Sequence, residues 1–333
     1  MISLPVTELS QVGAARRKAL HAAEMLGLSV DDRERLALVI TEAGTNLVRH
    51  ARGGEILLIL RGAGDATAVD VIAVDEGPGI ADVEAAMADG YTTAEPGDRG
   101  IGGGLGAIVR LSDSFDIHTD PRGTTVAITI GAIGQGRDAA LETAGLIVPK
   151  PGFDQGGDAF GSRCGTNTTL IMLMDVLGHG PAAASEAEKA VAAFAELEAA
   201  SLEEMEGSIA EALRGGRGAA ALLVELPHEA GKLRAMGLGN VRGEIMAPDA
   251  KHYGIPSTPG IVGSTAKAPR VTEHDWPNGA LLILSTDGLR GGERAPEPSS
   301  LFFRDPMTIA ATIYKRRRRG TDDCGVVVAR ARS

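Results

Sequence analysis

Aromatic residues are scarce: Phe, Trp and Tyr together make up 3% of the 333 residues, so any core must be filled by the plentiful Ala, Val and Leu. Cysteine is scarcer. Cys164 and Cys324 alone rule out a disulfide framework, and without CxxC or HExxH pairs the common zinc sites are missing, so both thiols read as small buried hydrophobes. No run approaches the roughly 18 apolar residues of a membrane span. The opening MISLPVTELSQVGAARRKAL lacks a signal peptide's apolar centre. A cytoplasmic chain without membrane insertion is therefore expected. Positive charge is in deficit, 33 Lys and Arg against 44 Asp and Glu for a net charge of −11. That excludes a general nucleic-acid binder, which needs clustered cations. Neither GxSxG nor a Cys/His pair at a glycine elbow is present, which removes nucleophilic-serine hydrolysis, and no repeat period appears.

What is present is enough chain for two domains. Apolar spacing predicts helices over 11–26 and 32–51, the second preceded by Ser29 and two Asp residues that can cap it. Strand-like runs EILLILR and AVDVIAV follow, then a glycine-broken region, a helix from about Gly104, and the pair SFDIHTD and TTVAITI joined by DPRG. Helices against an antiparallel sheet are expected. From Gly131 to Thr143 the periodicity lapses and glycines recur, which places a domain junction there. Beyond it, DAFGSRC, TTLIMLMDV, AAALLVEL, KLRAMGL, VRGEIM and ALLILST read as strands, with one long Ala/Glu-rich helix from Pro181 to Leu202.

Three stretches of the first half carry chemistry. In GDRGIGGGLGAIVRL, Gly97 to Leu111, the residues Gly102, Gly104 and Ala107 satisfy GxGxxG/A. Pro96 and Gly97 mark a loop where a dinucleotide fingerprint needs a strand, and no Gly-Lys-Ser/Thr follows for a P-loop. A plain helix-capping loop and an anion cradle both remain open. Glu42, Asn46 and His50 recur every fourth residue, on one face of an otherwise mostly apolar helix. That stripe is either solvated or a binding face, and a mid-helix Asn suggests a specific bond or ligand. VIAVDEGPGI ends a strand at Asp75 and turns through Gly77, Pro78 and Gly79. It is either a strand-end turn or a carboxylate for an exocyclic amine, beside backbone able to approach a flat ring.

Taken in order, ExxxNxxxH, DxGPG and the glycine-rich lid resemble the N box and two glycine boxes of the GHKL, or Bergerat, ATP-binding fold, over residues 1–133. The resemblance implies that Asn46 holds Mg²⁺ against the ATP phosphates and that Asp75 reads the adenine amine beside Gly77 and Gly79. It further implies that Gly100, Gly102, Gly104, Leu105 and Gly106 wrap the triphosphate, with Thr124 a further contact. Within that fold the run GIGGGLGAIVRLSDSFDI is similar to the serine kinases of bacterial partner switching, the RsbT type. Glu42 is then the general base for a serine hydroxyl, and His50 is structural.

In the second half aspartates stand at the ends of strand-like runs: Asp158 in QGGDAF, Asp175 in LIMLMDVLGHG, Asp287 in LILSTDGL, and Asp322 with Asp323 in TDDCGVVV. Each alone suits a turn, whereas hard divalent ions prefer such oxygen ligands. The ordered set GGD, DVxGHG, TDG and DD resembles metal-dependent Ser/Thr phosphatases of the PPM superfamily, SpoIIE and RsbX branch, over residues 144–333. By that resemblance Asp175 bridges two Mn²⁺ or Mg²⁺ ions. Asp158, Asp287 and Asp322 complete the carboxylate set, the Val176 carbonyl is a further ligand, Asp323 is a substitute for Asp322, and His179 contacts phosphate or donates a proton. The run KRRRR, Lys315 to Arg319, is either a dock for an acidic or phosphorylated partner or a solvated helix end.

The expectation is an α+β chain with a Bergerat α/β sandwich followed by a PPM-type αββα sandwich. It would phosphorylate Ser/Thr of STAS-domain antagonist or scaffold proteins with ATP and reverse that step. A downstream phosphatase, cyclase or sigma-factor regulator is a further partner class. The alternatives are a nucleotide-gated binding module that moves no phosphoryl group, and a phosphatase whose degenerate kinase domain senses ATP.

Overall fold

The computed structural model describes residues 1–63, 66–88, 104–132, 141–197, 201–249, 251–262, 269–291 and 300–331, which fall into two units, Met1–Asp138 and Ala139–Ser333. The first unit runs β1 (Ile2–Val6), α1 (Leu9–Leu26), α2 (Val30–His50), β2 (Gly54–Ala63), β3 (Ala66–Asp75), α3 (Val83–Met87), α4 (Gly104–Leu111), β4 (Ser114–Asp120) and β5 (Gly123–Gly131). Its strands form one antiparallel sheet in the order β1-β2-β3-β5-β4. Alternation along the strands puts Ile56, Leu58, Val69, Val71 and Ile128 into one core with Leu36, Ile40 and Leu47 of α2 and Ile108 of α4.

Local signals set the ends of these helices. Gly27 closes α1 in the left-handed region, φ 85°. The Ser29 hydroxyl accepts the Asp32 N–H at 3.1 Å to start α2. Arg35 then ties α2 to the far end of α4, donating to the Leu111 carbonyl at 3.0 Å and to the Asp113 carboxylate at 2.9 Å. The strand β1 pairs with β2 and was not expected from the sequence.

The second unit runs β6 (Leu141–Val148), β7 (Asp158–Cys164), β8 (Thr168–Val176), α5 (Pro181–Glu196), α6 (Leu202–Ala212), β9 (Ala219–Pro227), β10 (Gly231–Leu238), β11 (Arg242–Met246), β12 (His252–Ile255), β13 (Ser257–Thr258), β14 (Val271–Trp276), β15 (Leu281–Ser285), α7 (Pro306–Arg317) and β16 (Cys324–Ala331). One sheet has the order β13-β10-β9-β8-β7, with β14 on β10; the other has β12-β11-β15-β16-β6. Strand β8 shows how the layers arise. Ile171 and Leu173 join the core shared with Leu282, Leu284, Val327 and Ala329 of the other sheet. Met172 and Met174 turn the opposite way, to Ala183, Ala190 and Met205 of α5 and α6. With α7 packed on β16 and β6, the layers read helix, sheet, sheet, helix. Gly145 admits the Phe160 ring between the sheets, since a Cβ there would stand 2.2 Å from it.

Three expectations need correction. The single helix from Pro181 to Leu202 is two helices: α5 ends at Glu196, Leu197 is extended, and Ser201 and Glu204 cap α6 reciprocally, their backbone N–H groups donating at 2.8 and 3.2 Å. A capping box overrides uniform Ala/Glu composition. The junction expected over Gly131–Thr143 is shorter at its far end, because β6 begins at Leu141 and pairs along β16. Cys164 is exposed rather than buried, sitting where β7 runs out into a turn, while Cys324 is buried. Among the described residues, no helix is long and apolar enough to cross a membrane.

Candidate functional sites

The first site is assembled around the two ends of β3 and α2. Asp75 closes β3, and its Oδ1 accepts the N–H of Gly77 at 2.7 Å and of Thr124 at 3.1 Å, which fixes the plane of the carboxylate. The turn after it is held against the β4–β5 hairpin: the Ile80 N–H donates to the Thr119 hydroxyl at 2.8 Å, and Thr119 and Thr124 share a hydroxyl contact at 3.0 Å. Gly79 (φ 79°) is obligatory there, since a Cβ would stand 2.4 Å from the Asp120 carbonyl oxygen. The C-terminal end of α2 meets the same turn. A Cβ on Gly77 would lie 2.9 Å from Ala51, and one on Gly54, opposite Asp75, would lie 2.8 Å from Leu47.

Glu42 and Asn46 are half-buried on α2, and His50 is exposed at its end. Burial pushes the Glu42 carboxyl above its usual range, opposed by the Arg49 charge and by a hydrogen bond donated from the Gly104 N–H. That bond joins Glu42 to the first residue of α4. Leu105 and Gly106 are buried behind it, with Gly106 packed so closely on the Met87 carbonyl that a Cβ would stand 2.6 Å away. Gly100 and Gly102 lie outside the described residues.

The close approach at Gly123 gives a test of this arrangement. Its φ is 135° and a Cβ would stand 2.0 Å from the Asp75 carbonyl oxygen. Gly123→Ala is expected to destabilise the first unit by about 2 kcal/mol or more and to weaken ATP binding, measured by thermal unfolding and nucleotide titration.

The second site gathers aspartates from four separated segments. Asp158 and Asp175 face one another across the β7–β8 ladder. The Thr286 hydroxyl donates to Asp158 Oδ2 at 2.7 Å and itself accepts the Gly325 N–H at 2.7 Å. Asp287 follows Thr286 and accepts from the Asn240 amide at 2.7 Å. Asp322 is exposed before β16. The Val176 carbonyl lies against Gly157, where a Cβ would be 2.5 Å from it, and His179 is exposed with its ring centroid 4.6 Å from that of Phe153.

Electrostatics tie these carboxylates together. Burial, then Asp287, Asp322 and Asp323, raise the Asp175 carboxyl to about 7. Burial, with Asp175 next, raises Asp158 well above the ordinary range. Among the described residues, no group of three or more His, Cys, Asp or Glu side chains is placed so that it could hold a metal ion. The donors are nonetheless carboxylate oxygens, the type that hard divalent ions prefer, and a bound cation would relieve their repulsion.

A pH dependence follows. The folded, metal-free unit holds a proton on Asp175 more tightly than the unfolded chain does, so its stability should fall as pH rises from the ordinary carboxylate value toward about 7. The upper limit is about 1.4 kcal/mol per pH unit. Unfolding scans at about pH 5 and about pH 8 check the slope, and Mn²⁺ should restore most of the loss at the higher pH.

Sequence reasoning missed Thr119, Thr286 and Asn240, which bond to the site from distant parts of the chain. The run KRRRR is also more than a solvated helix end. Lys315 to Arg318 are half-buried, Arg318 lies over the Tyr314 ring at 5.3 Å, and Arg318 bridges Leu289. The Arg319 N–H donates to Gly288 and the Arg290 N–H to Arg317, at 2.9 and 2.8 Å. The cations therefore edge the segment that follows Asp287.

Residues 6–130 match the family model of the histidine kinase-like ATPase domain, and residues 165–332 match that of stage II sporulation protein E, SpoIIE. The chain belongs to the SpoIIE family. In this SpoIIE-family chain the first unit is a histidine kinase-like, GHKL-type ATPase domain and the second has the sheet-rich fold of PPM phosphatases. Its N-terminal part is 32% identical over 106 residues to the serine/threonine-protein kinase RsbT of Bacillus subtilis (strain 168), spanning 32% of this chain and 77% of RsbT. A crystal structure of RsbX in complex with magnesium covers 57% of the chain and 94% of its own, with a TM-score of 0.50 and 18% identity, a likeness of fold. Kinase homology in one unit and a phosphatase-type domain in the other imply use of a nucleotide and of divalent metal.

Proposed function

We propose that this chain is a partner-switching regulator that both phosphorylates Ser or Thr of a STAS-domain protein and removes the phosphate again. The observation that carries the reading is the pairing, in one chain, of a carboxylate on α2 bonded to the opening residue of α4 with an all-carboxylate cluster whose members repel one another. The name of the relative RsbT supports the first half of the reading.

In the first unit Asp75, with Gly77 and Gly79, holds the adenine; Asn46 holds Mg²⁺; and Gly104, Leu105 and Gly106, with Gly100 and Gly102 ahead of them, hold the phosphates. Thr124 closes the base end. Glu42 takes the proton of the incoming serine hydroxyl as its oxygen bonds to the γ-phosphorus and the bond to ADP breaks. A carboxyl raised by burial is a stronger base for this step. In the second unit Asp158, Asp175, Asp287 and Asp322 hold the ions, with the Val176 carbonyl as a further oxygen, and His179 gives a proton to the departing serine oxygen. Bound divalent ions supply charge neutralisation at phosphate oxygens and activation of water.

Incubating the chain with γ-labelled ATP and a STAS-domain protein tests the reading. Label on the protein, followed by Mn²⁺-dependent release once ATP is removed, is the expected outcome. An ATP-dependent complex that never acquires label would replace it with the nucleotide-gated binding module, and release without transfer would leave a phosphatase with a sensing domain.

A further inference from the structure

The residue after Asp322 reaches several segments of the second site at once. Asp323 is 4% exposed, and backbone N–H groups occupy both of its carboxylate oxygens: Lys150 donates to Oδ1 and Gly157 to Oδ2, each at 2.7 Å. Gly157 immediately precedes Asp158. The glycine before it leaves room for this grip, since a Cβ on Gly156 would stand 2.4 Å from Asp323 Oδ1. The main chain of Asp323 reaches two more segments. Its carbonyl oxygen is packed on Gly288, beside Asp287, so tightly that a Cβ there would be 1.8 Å away, and its N–H donates to Asp322 Oδ1 at 3.0 Å. One residue thus touches the segments that carry Asp158, Asp287 and Asp322.

We propose that Asp323 is a positioning residue: it fixes the spacing of the metal-holding carboxylates through the backbone and binds no ion itself. The proposal rests on the metal-dependent phosphatase reading above. Its physical basis is that the ligand-bearing turns come from regions far apart in sequence, and a buried carboxylate that accepts two N–H groups locks two of them together at fixed distance. It also accounts for a second acid in DD and for paired glycines in GGD.

Mn²⁺ titration by calorimetry, and amide exchange carried out with and without Mn²⁺ and read by NMR after quenching and chelating the paramagnetic ion, both on the full-length chain, test it. In the wild type, Mn²⁺ should slow exchange at the Lys150 and Gly157 amides. Asp323→Asn should leave the unit folded, speed exchange at those two amides, and weaken Mn²⁺ binding by about 10- to 100-fold, as loss of an outer partner does. Gly156→Ala displaces the Asp323 side chain while leaving every carboxylate present, and should do the same; it carries the comparison if Asp323→Asn does not fold. Unchanged Mn²⁺ affinity in a folded variant overturns the proposal. So does Asp323→Asn behaving like Asp322→Asn, with binding abolished and the two amides still protected, because Asp323 would then be a ligand. Exchange in the wild type that ignores Mn²⁺ overturns it as well. A wild-type chain that binds no Mn²⁺ overturns the phosphatase reading and the proposal with it.

Discussion

Glu42→Gln is expected to lower phosphoryl transfer to a STAS-domain protein by about 10²- to 10⁴-fold, the usual worth of a positioned base, while ATP binding changes little. The separation follows from where the carboxyl sits. It is half-buried on α2, raised by burial, and bonded to the N–H of Gly104 rather than to the Asp75 end of the cleft. Gln keeps the size and an acceptor oxygen for Gly104 but cannot take a proton. Single-turnover transfer and nucleotide titration, run on the same preparation, separate the two effects. Equal losses in both would make Glu42 a nucleotide ligand and not the base.

Asp175→Asn should produce an equally large loss in the other direction of the cycle, about 10³-fold or more in Mn²⁺-dependent release of phosphate. It should also raise the melting temperature of the metal-free protein at neutral pH. Both results have one cause. Asp175 is pushed to about 7 by burial and by Asp287, Asp322 and Asp323, so its charge is costly to the fold without a cation and useful only with one. A neutral amide relieves the repulsion and forfeits the ligand. A variant that lost activity and stability together would mean that Asp175 is part of the framework instead.

Much of this was readable from short-range pattern. The stripe of Glu42 and Asn46 on α2, the turn at Asp75, and the aspartates at strand ends are all set by spacing within one element, and the structure keeps them on those elements. Residues that act across the chain were not readable. Thr286 reaches Asp158 over a separation of 128 residues, Asp323 reaches Gly157 over 166, and Asn240 reaches Asp287 over 47. No local period marks such partners. Helix α7 shows another limit: it opens with Asp305 capping and Pro306 at its first turn, yet Thr308 and Thr312 are buried along with its apolar residues, so no amphipathic stripe announces it. At Ser201 the signal was present as a capping box, but the uniform Ala/Glu composition around it masked the break.

The most direct measurement is a time course of label on a STAS-domain protein given limiting γ-labelled ATP and Mn²⁺, with wild type, Glu42→Gln and Asp175→Asn in parallel. The account predicts label that rises and then decays with the wild type, persists with Asp175→Asn, and never appears with Glu42→Gln. Label that decays equally fast with Asp175→Asn, or that forms at the wild-type rate with Glu42→Gln, would contradict it.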